Sequence, residues 1–171
     1  MPSTLIISSD RVRRTMSRLA FEVVERNRGT DNLEIVGIRH RGPAVGRALA
    51  AHIGHIDGRR FRVHELDVRP YRDDRKPEEQ LEDESDVTAD LTDRDVILTD
   101  DVLFTGRTAR AALDAIIRYG RPRSIQLVAL VDRGHREYPI QPDYVGRLIQ
   151  TKHRERVVVD VDEGFAIFVE E

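Results

Sequence analysis

The sequence contains no cysteine. Disulfides and thiolate zinc sites are therefore excluded, and the fold has to be stabilised by its apolar core. A large excess of one charge is also missing, because 28 Lys and Arg residues are balanced by 31 Asp and Glu residues, for a formal net charge of -3. This balance excludes a uniformly basic nucleic-acid-coating protein, so any nucleic-acid contact has to use a local patch.

Long hydrophobic runs are missing as well. The apolar stretches fall far short of a membrane span, and the first residues are too few and too uncharged for a secretory signal. We therefore expect a cytoplasmic protein with no membrane partner. A chain of 171 residues suffices for one well-filled core, and no shift in composition marks a second domain, so residues 1–171 are predicted to form a single domain.

Helical and strand patterns alternate along the chain. Apolar spacing after Asp10 predicts an opening helix that ends near Gly29, and Pro43 suits the first turn of a second helix over residues 44–53. A third helix is expected after Thr108, ending at Gly120. Short apolar runs predict strands at residues 33–38, 61–68, 96–98, 124–131, 157–161 and 165–169.

This alternation favours an α/β fold, with an open, mostly parallel sheet flanked by helices. Ligands bind such sheets beyond the carboxyl ends of the strands, so the loops after Ile38, Val68, Leu98 and Val131 are predicted to carry the chemistry. Two other segments look different. Residues 73–95 are rich in charge and predict a solvated, mobile arm, and residues 132–150 are expected to be irregular.

The most informative motif is the string VILTDDVLFTGRT at residues 96–108. Gly106 allows close backbone approach, while successive N–H groups and the hydroxyls of Thr105 and Thr108 can hold one phosphate at the start of a helix. Asp100 and Asp101 repel one another at the end of a buried strand unless hydroxyl donors or a hydrated cation offset their charge. A ribose diol with magnesium supplies both. An isolated turn of this kind is usually an ordinary capped helix start, but the complete string is specific.

The string is similar to the motif with which type I phosphoribosyltransferases bind 5-phosphoribosyl-1-pyrophosphate (PRPP). Further segments extend the likeness over essentially the whole chain, which resembles the bifunctional pyrimidine operon attenuator and uracil phosphoribosyltransferase (PyrR) family. These segments are Arg13 with Arg14, ERNRG at 25–29, VGIRHRG at 36–42, YRDD at 71–74, GRP at 120–122 and VDRGHRE at 131–137.

The resemblance implies an enzyme that makes uridine monophosphate (UMP) and pyrophosphate from uracil and PRPP. It also implies a regulator that responds to uridine nucleotides and binds pyrimidine-operon leader mRNA. The implied cofactor is Mg2+, held mainly through PRPP, with Asp100 and Asp101 as candidate protein ligands. We further expect a homo-oligomer, either a dimer or a larger assembly.

The resemblance assigns roles residue by residue. The predicted catalytic residues are Asp100 and Asp101, which hold the ribose, and Arg72, which is placed near the leaving pyrophosphate on an arm that closes over PRPP. The predicted 5-phosphate site is Phe104, Thr105, Gly106, Arg107 and Thr108. The predicted pyrophosphate loop, often built on a non-proline cis peptide bond, is Arg39, His40, Arg41 and Gly42. The resemblance also implies a small hood over about residues 132–150, and the predicted uracil-binding residues at its start are Val131, Asp132, Arg133, Gly134 and His135.

Alternatives stay open at this point. A purine phosphoribosyltransferase shares the PRPP loop but needs a different hood, and an RNA-binding regulator could use the same pocket as a sensor with little catalysis. Taken alone, Arg39 and Arg41 could be a surface pair, and His135 a loop histidine without chemistry.

An RNA contact is predicted on the opening helix. Its basic residues Arg11, Arg14 and Arg18 share one face of that helix. The family resemblance adds Ser17, but Phe21 stands where the family carries a histidine. The competing interpretation is a solvated face on which these arginines pair with neighbouring glutamates.

Overall fold

A computed structural model describes residues 3–171, so the first two residues of the predicted domain lie outside the described residues. The helices are α1 (Ser9–Arg26), α2 (Gly42–Asp57) and α3 (Arg107–Ile116). The strands are β1 (Ser3–Ile7), β2 (Leu33–Ile38), β3 (Val63–Leu66), β4 (Asp95–Leu103), β5 (Ser124–Asp132), β6 (Tyr144–Leu148), β7 (Arg156–Asp160) and β8 (Ala166–Glu170). Short 3-10 turns span Arg69–Tyr71 and Ile117–Tyr119.

The described residues form a parallel sheet in the order β3-β2-β4-β5-β6 and a small antiparallel sheet in the order β1-β8-β7. The predicted α/β fold with a mostly parallel sheet is confirmed. No helix within residues 3–171 combines the length and the apolar content needed to cross a bilayer.

Two apolar clusters hold helices to opposite faces of the large sheet. Because side chains alternate along a strand, Ile97 of β4 packs with α1 and α2, whereas its neighbour Leu98 packs with α3. Leu19 of α1 and Leu49 of α2 are fully buried in the first cluster. This packing fixes the carboxyl ends of β2, β3, β4 and β5 along one edge of the sheet.

The prediction of a mobile arm over residues 73–95 is wrong for its second half. Glu65 and Asp86 exchange two backbone hydrogen bonds of 2.8 and 3.1 Å, and the Leu91 side chain is fully buried. Asp95 already begins β4. These anchors are scattered among charged residues, so the composition of the segment conceals them. Residues 73–80 are all exposed and outside helices and strands, and they remain the candidate arm.

The prediction that residues 132–150 are irregular is wrong for β6. This strand extends the parallel sheet beside β5, with Tyr144 and Gly146 buried. A side chain at Gly146 would overlap the carbonyl of Leu130 on β5, so glycine here permits close pairing rather than marking a loop. Strand β1 was not predicted, because only Ile7 of that strand is buried and its burial pattern does not alternate.

Candidate active site

The predicted carboxylate pair lies on β4, which is longer than its apolar run because it continues to Leu103. Asp100 Oδ1 accepts the backbone N–H of Asp101 at 2.9 Å, and Asp101 Oδ1 accepts that of Val102 at 2.8 Å. Burial raises the pKa of Asp100 well above its ordinary value, and the neighbouring charge of Asp101 raises it further. An incoming cation or hydroxyl donor would relieve this cost.

The predicted phosphate cradle lies at the start of α3. Gly106 precedes the helix with φ 90°, a left-handed conformation that favours glycine. The backbone N–H groups of the first turn lack intrahelical acceptors and bear the positive end of the helix dipole. The hydroxyl of Thr108 stands at the same helix start, and Thr105 Oγ1 accepts the N–H of Arg107 at 3.3 Å. This arrangement can bind a phosphate.

The Arg107 guanidinium is engaged by neighbouring side chains, so Arg107 offers its backbone rather than its guanidinium to the predicted cradle. Its guanidinium donates to Glu137 at 2.9 Å, to Asp73 at 2.9 Å and to the hydroxyl of Tyr138 at 2.6 Å, and it lies 4.5 Å from the centre of the Tyr138 ring. Arg107 therefore ties the arm to the loop after β5. Tyr138 was not predicted as a site residue, and an isolated tyrosine in a loop gave no pattern by which to find it.

Arg72, which is predicted to lie near the leaving pyrophosphate, contacts the start of α3 in this structure. Its Nη1 donates to Thr108 Oγ1 at 2.8 Å, and its Nε and Nη2 donate to Asp74 at 2.8 and 2.7 Å. The short 3-10 turn at Arg69–Tyr71 directs the chain from β3 towards α3. The spacing in the sequence could not reveal this direction.

The predicted pyrophosphate loop contains a cis peptide bond between Arg39 and His40, as the resemblance implied. The Arg39 guanidinium is held by Glu65 at 3.1 Å, whereas Arg41 lies 3.7 Å from Asp101. Gly42 is buried at the start of α2, where a side chain would overlap the carbonyl of Thr99. The loop thus brings Arg41 to the carboxylate pair and directs Arg39 towards β3.

The predicted hood begins in the last two residues of β5 and continues over the phosphate loop. Arg133 is buried, and its guanidinium lies 4.0 Å from the centre of the Phe104 ring. Its nitrogens donate hydrogen bonds to Thr151 Oγ1 and to the carbonyls of Lys152 and His153. The Arg133 charge is therefore used in holding the hood. Val131 is buried in β5.

Other hood residues are held by short contacts. Asp132 accepts the N–H of Gly134 at 3.0 Å and the guanidinium of Arg136 at 2.5 Å, while Arg136 also donates to the carbonyl of Phe104 at 2.8 Å. His135, at φ 65°, makes an edge contact with the ring of Phe104 at 5.7 Å. Arg136, which lies in the predicted hood but was not among its predicted uracil-binding residues, joins the hood to the phosphate loop.

The four residues predicted to bind RNA differ in their surroundings on α1. Arg11 and Arg14 are exposed, and Ser17 is partly buried. Arg18 donates to Glu22 at 2.7 Å and to the carbonyls of Val145 and Gly146 on β6 at 3.0 and 2.7 Å. Arg18 therefore fastens α1 to the edge of the sheet, which the helical pattern alone did not reveal.

Known proteins share both the sequence and the fold. The phosphoribosyl transferase domain family matches residues 8–163. Bifunctional protein PyrR of Bacillus mycoides (strain KBAB4) is 49% identical over 163 residues, which cover 93% of this chain and 91% of the relative. The chain belongs to the PyrR family. Bifunctional protein PyrR of Bacillus anthracis (strain CDC 684 / NRRL 3495) gives the same values. The family membership predicted from the sequence is confirmed.

Solved structures extend the likeness beyond PyrR proteins. The hypoxanthine phosphoribosyltransferase of Trypanosoma cruzi superposes with a TM-score of 0.76 at 17% identity, over 97% of this chain and 95% of the other. A hypoxanthine-guanine phosphoribosyltransferase of Bacillus anthracis gives 0.68 at 16% identity, over 85% and 83%. At such identity the PyrR-family chain shares the fold with these enzymes, and their substrates do not carry over.

Proposed function

We propose that this chain is a uracil phosphoribosyltransferase that makes UMP and pyrophosphate from uracil and PRPP. The observation that carries the proposal is the carboxylate pair Asp100 and Asp101 on the strand that leads into the α3 phosphate cradle. The 49% identity to proteins named Bifunctional protein PyrR supports it. Because the fold alone hosts several bases, the choice of uracil rests on this identity and on the hood.

In this proposal PRPP lies across the carboxyl ends of the strands. Its 5-phosphate binds the backbone of residues 104–108 with the hydroxyls of Thr105 and Thr108, and Arg72 approaches the same group through Thr108. Asp100 and Asp101 accept the ribose hydroxyls. The pyrophosphate binds the loop of residues 39–42, where backbone amides and Arg41 are available.

The donor set also fits Mg2+ that takes most of its ligands from PRPP. Within residues 3–171 no cluster of three or more His, Cys, Asp or Glu side chains could hold a metal, so the protein supplies at most the hard carboxylate oxygens of Asp100 and Asp101. When bound, the ion neutralises charge on the diphosphate. The two carboxylates are the groups whose mutual repulsion it would lower.

The reaction is a displacement at the anomeric carbon of PRPP. The bond from that carbon to the pyrophosphate oxygen breaks, and pyrophosphate leaves with the bonding electron pair. A uracil nitrogen forms the new bond, and the proton of that nitrogen is released with the products. Positive charge builds on the ribose ring, where the nearby carboxylates stabilise it, so positioning and electrostatics supply the protein's contribution. The arm of residues 73–80 would exclude water from this centre.

The first test is the choice of base. Under the proposal, uracil gives PRPP-dependent release of pyrophosphate, because backbone groups of the hood can match its imide edge. The measurement is pyrophosphate release with PRPP and Mg2+ and with uracil, hypoxanthine or adenine as acceptor. If hypoxanthine or adenine were turned over and uracil were not, the chain would be a purine phosphoribosyltransferase instead.

The second activity we propose is binding of pyrimidine-operon leader RNA through α1, tuned by UMP. The name Bifunctional protein PyrR of the relatives favours it. Arg14 is exposed and can contact a phosphate, whereas Arg18 already donates to two carbonyls of β6. Phe21 is 59% exposed on the same helix. The proposal includes the predicted homo-oligomer, which would present two copies of α1 to the RNA.

Substitutions of Arg14 and Arg18 on α1 should give different results. Arg14→Ala should weaken binding of the protein's own leader RNA and reduce the slope of log affinity against log salt by about one, the loss of one phosphate contact, with the fold unchanged. Arg18→Ala should also lower the unfolding free energy, since it releases α1 from β6. The measurement is RNA affinity with and without UMP across a salt series, beside urea unfolding. Binding no stronger than that of an unrelated RNA would leave the chain as an enzyme only.

A further inference from the structure

We propose that Asp67 is a positioning residue that joins the two roots of the arm, residues 69–71 before it and residues 84–86 after it. This set of contacts, the clasp, positions Arg72 at the 5-phosphate of PRPP. Asp67 follows β3 directly and is 1% exposed. The inference rests on the proposed use of PRPP. A carboxylate buried this far needs full hydrogen-bonding compensation, so the identity of its donors shows what it holds.

The donors to Asp67 come from both ends of the arm. At the near root, Arg69 donates its backbone N–H and Nε to Oδ1, each at 3.0 Å, and Nη2 to Oδ2 at 2.8 Å. At the far root, the backbone N–H of Glu84 donates to Oδ2 at 3.1 Å, and the N–H of Asp67 donates to Ser85 Oγ at 2.8 Å. One side chain therefore closes the loop that contains the arm.

The electrostatics agree with this geometry. The Arg69 hydrogen bonds lower the pKa of Asp67 to about 2, so the carboxylate stays charged at neutral pH. Arg69 Nη2 also lies 3.0 Å from Glu84, which in turn lies 3.7 Å from Arg39. The clasp is thus joined to the pyrophosphate loop as well as to the arm.

What the clasp positions is the short segment that enters the site. Arg69 begins a 3-10 turn that ends at Tyr71, and the next residue, Arg72, donates to Thr108 at the phosphate cradle. So few residues, one of them Pro70, leave little freedom between root and cradle. A shift of the root would therefore carry the Arg72 guanidinium away from the phosphate, while the exposed tip of the arm can still move.

A double-mutant cycle separates positioning from plain stabilisation. If Asp67 acts through Arg72, Asp67→Asn should weaken PRPP binding about tenfold or more in the wild-type background, by analogy with the cost of small misplacements. In an Arg72→Ala background the same change should add little, no more than about twofold. The measurements are calorimetric titration with PRPP and Mg2+, and KM for PRPP against kcat.

Asp95 offers a matched control. It is 5% exposed and accepts hydrogen bonds from Arg123 and Ser124. It is the first residue of β4 and so lies at the amino end of that strand, away from the candidate site at the carboxyl ends. Asp95→Asn should destabilise the fold to a similar degree yet leave PRPP affinity within about twofold of wild type, since a distant, independent site adds no coupling. Hydrogen exchange with and without PRPP and Mg2+ should show loosened roots at residues 69–71 and 84–86 only in Asp67→Asn.

Equal PRPP affinities in Asp67→Asn and Asp95→Asn, or full additivity with Arg72→Ala, would overturn the clasp. If Asp67→Asn fails to fold, Arg69→Gln decides, because Arg69 is 42% exposed and its replacement leaves the core intact. Weakened PRPP binding in Arg69→Gln supports the clasp, and unchanged binding rejects it. Since PRPP binding is read without any base, a wild type that binds PRPP but ignores uracil would contradict the uracil assignment and leave the clasp standing.

Discussion

Asp100→Asn and Asp101→Asn are each expected to lower kcat/KM for PRPP by about a hundredfold or more, the scale found when one preorganised electrostatic group is removed from an active site. The amide keeps the shape of the side chain but removes the charge that would balance the ribose cation and Mg2+. Because burial and the charge of Asp101 already raise the pKa of Asp100, a neutral amide at position 100 should not destabilise the fold, and an amide at position 101 removes the charge that repels Asp100. The measurements are steady-state pyrophosphate release and urea unfolding.

An exposed carboxylate on α3, the helix that follows the carboxylate pair, provides the control. Asp114 lies exposed on α3 and pairs with Arg110 at 2.7 Å. Asp114→Asn removes the same charge without touching the site, so its turnover should match wild type. Near-wild-type turnover in both Asp100→Asn and Asp101→Asn would show that the carboxylate pair does not serve the reaction.

Gly37→Ala is expected to destabilise the protein by about 3 kcal/mol or more, at the upper end of the cost of overpacking a core. A side chain at this buried position of β2 would overlap the backbone of Pro43 and lie 2.6 Å from the carbonyl carbon of Gly42. Backbone atoms at the start of α2 cannot swing aside as a flexible side chain could. The change should therefore displace α2 and the predicted pyrophosphate loop. Urea unfolding and KM for PRPP measure the two effects.

Gly58→Ala tests a glycine of the opposite kind. Gly58 ends α2 at φ 76°, and no atom of residues 3–171 outside its immediate neighbours comes within 4 Å of a side chain added there. Its replacement should cost only the left-handed strain, about 1 kcal/mol. If Gly37→Ala proved no more destabilising than Gly58→Ala, the close approach of β2 to α2 would be refuted.

The fold class was predictable because its signals are local and repeated. Strands and helices alternate in the sequence, and side-chain periodicity shows which residues are buried. Where the local signal is weak, prediction failed. β6 contains a glycine and an arginine, and its pairing beside β5 depends on a neighbour distant in sequence. Leu91 anchors a segment whose overall composition is that of a solvated loop.

The candidate site divides in the same way. The string at residues 96–108 is contiguous, so its carboxylates, glycine and hydroxyls could be assigned to a phosphate and a ribose without coordinates. The directions in which long side chains extend could not be predicted from the sequence. Arg72 lies against Thr108, Arg39 against Glu65, and Arg18 against β6, each across a separation that spacing cannot measure.

The sequence by itself therefore determined the family, the parallel α/β architecture and the phosphate loop, because each is encoded in contiguous or periodic residues. Only the tertiary structure decided which charges are already paired and which remain for a ligand. Asp67 shows the reason most plainly. Its donor Arg69 is only 2 residues away and its donor Glu84 is 17 residues away, and Glu84 reaches the buried carboxylate only because β3 and the returning segment pack together.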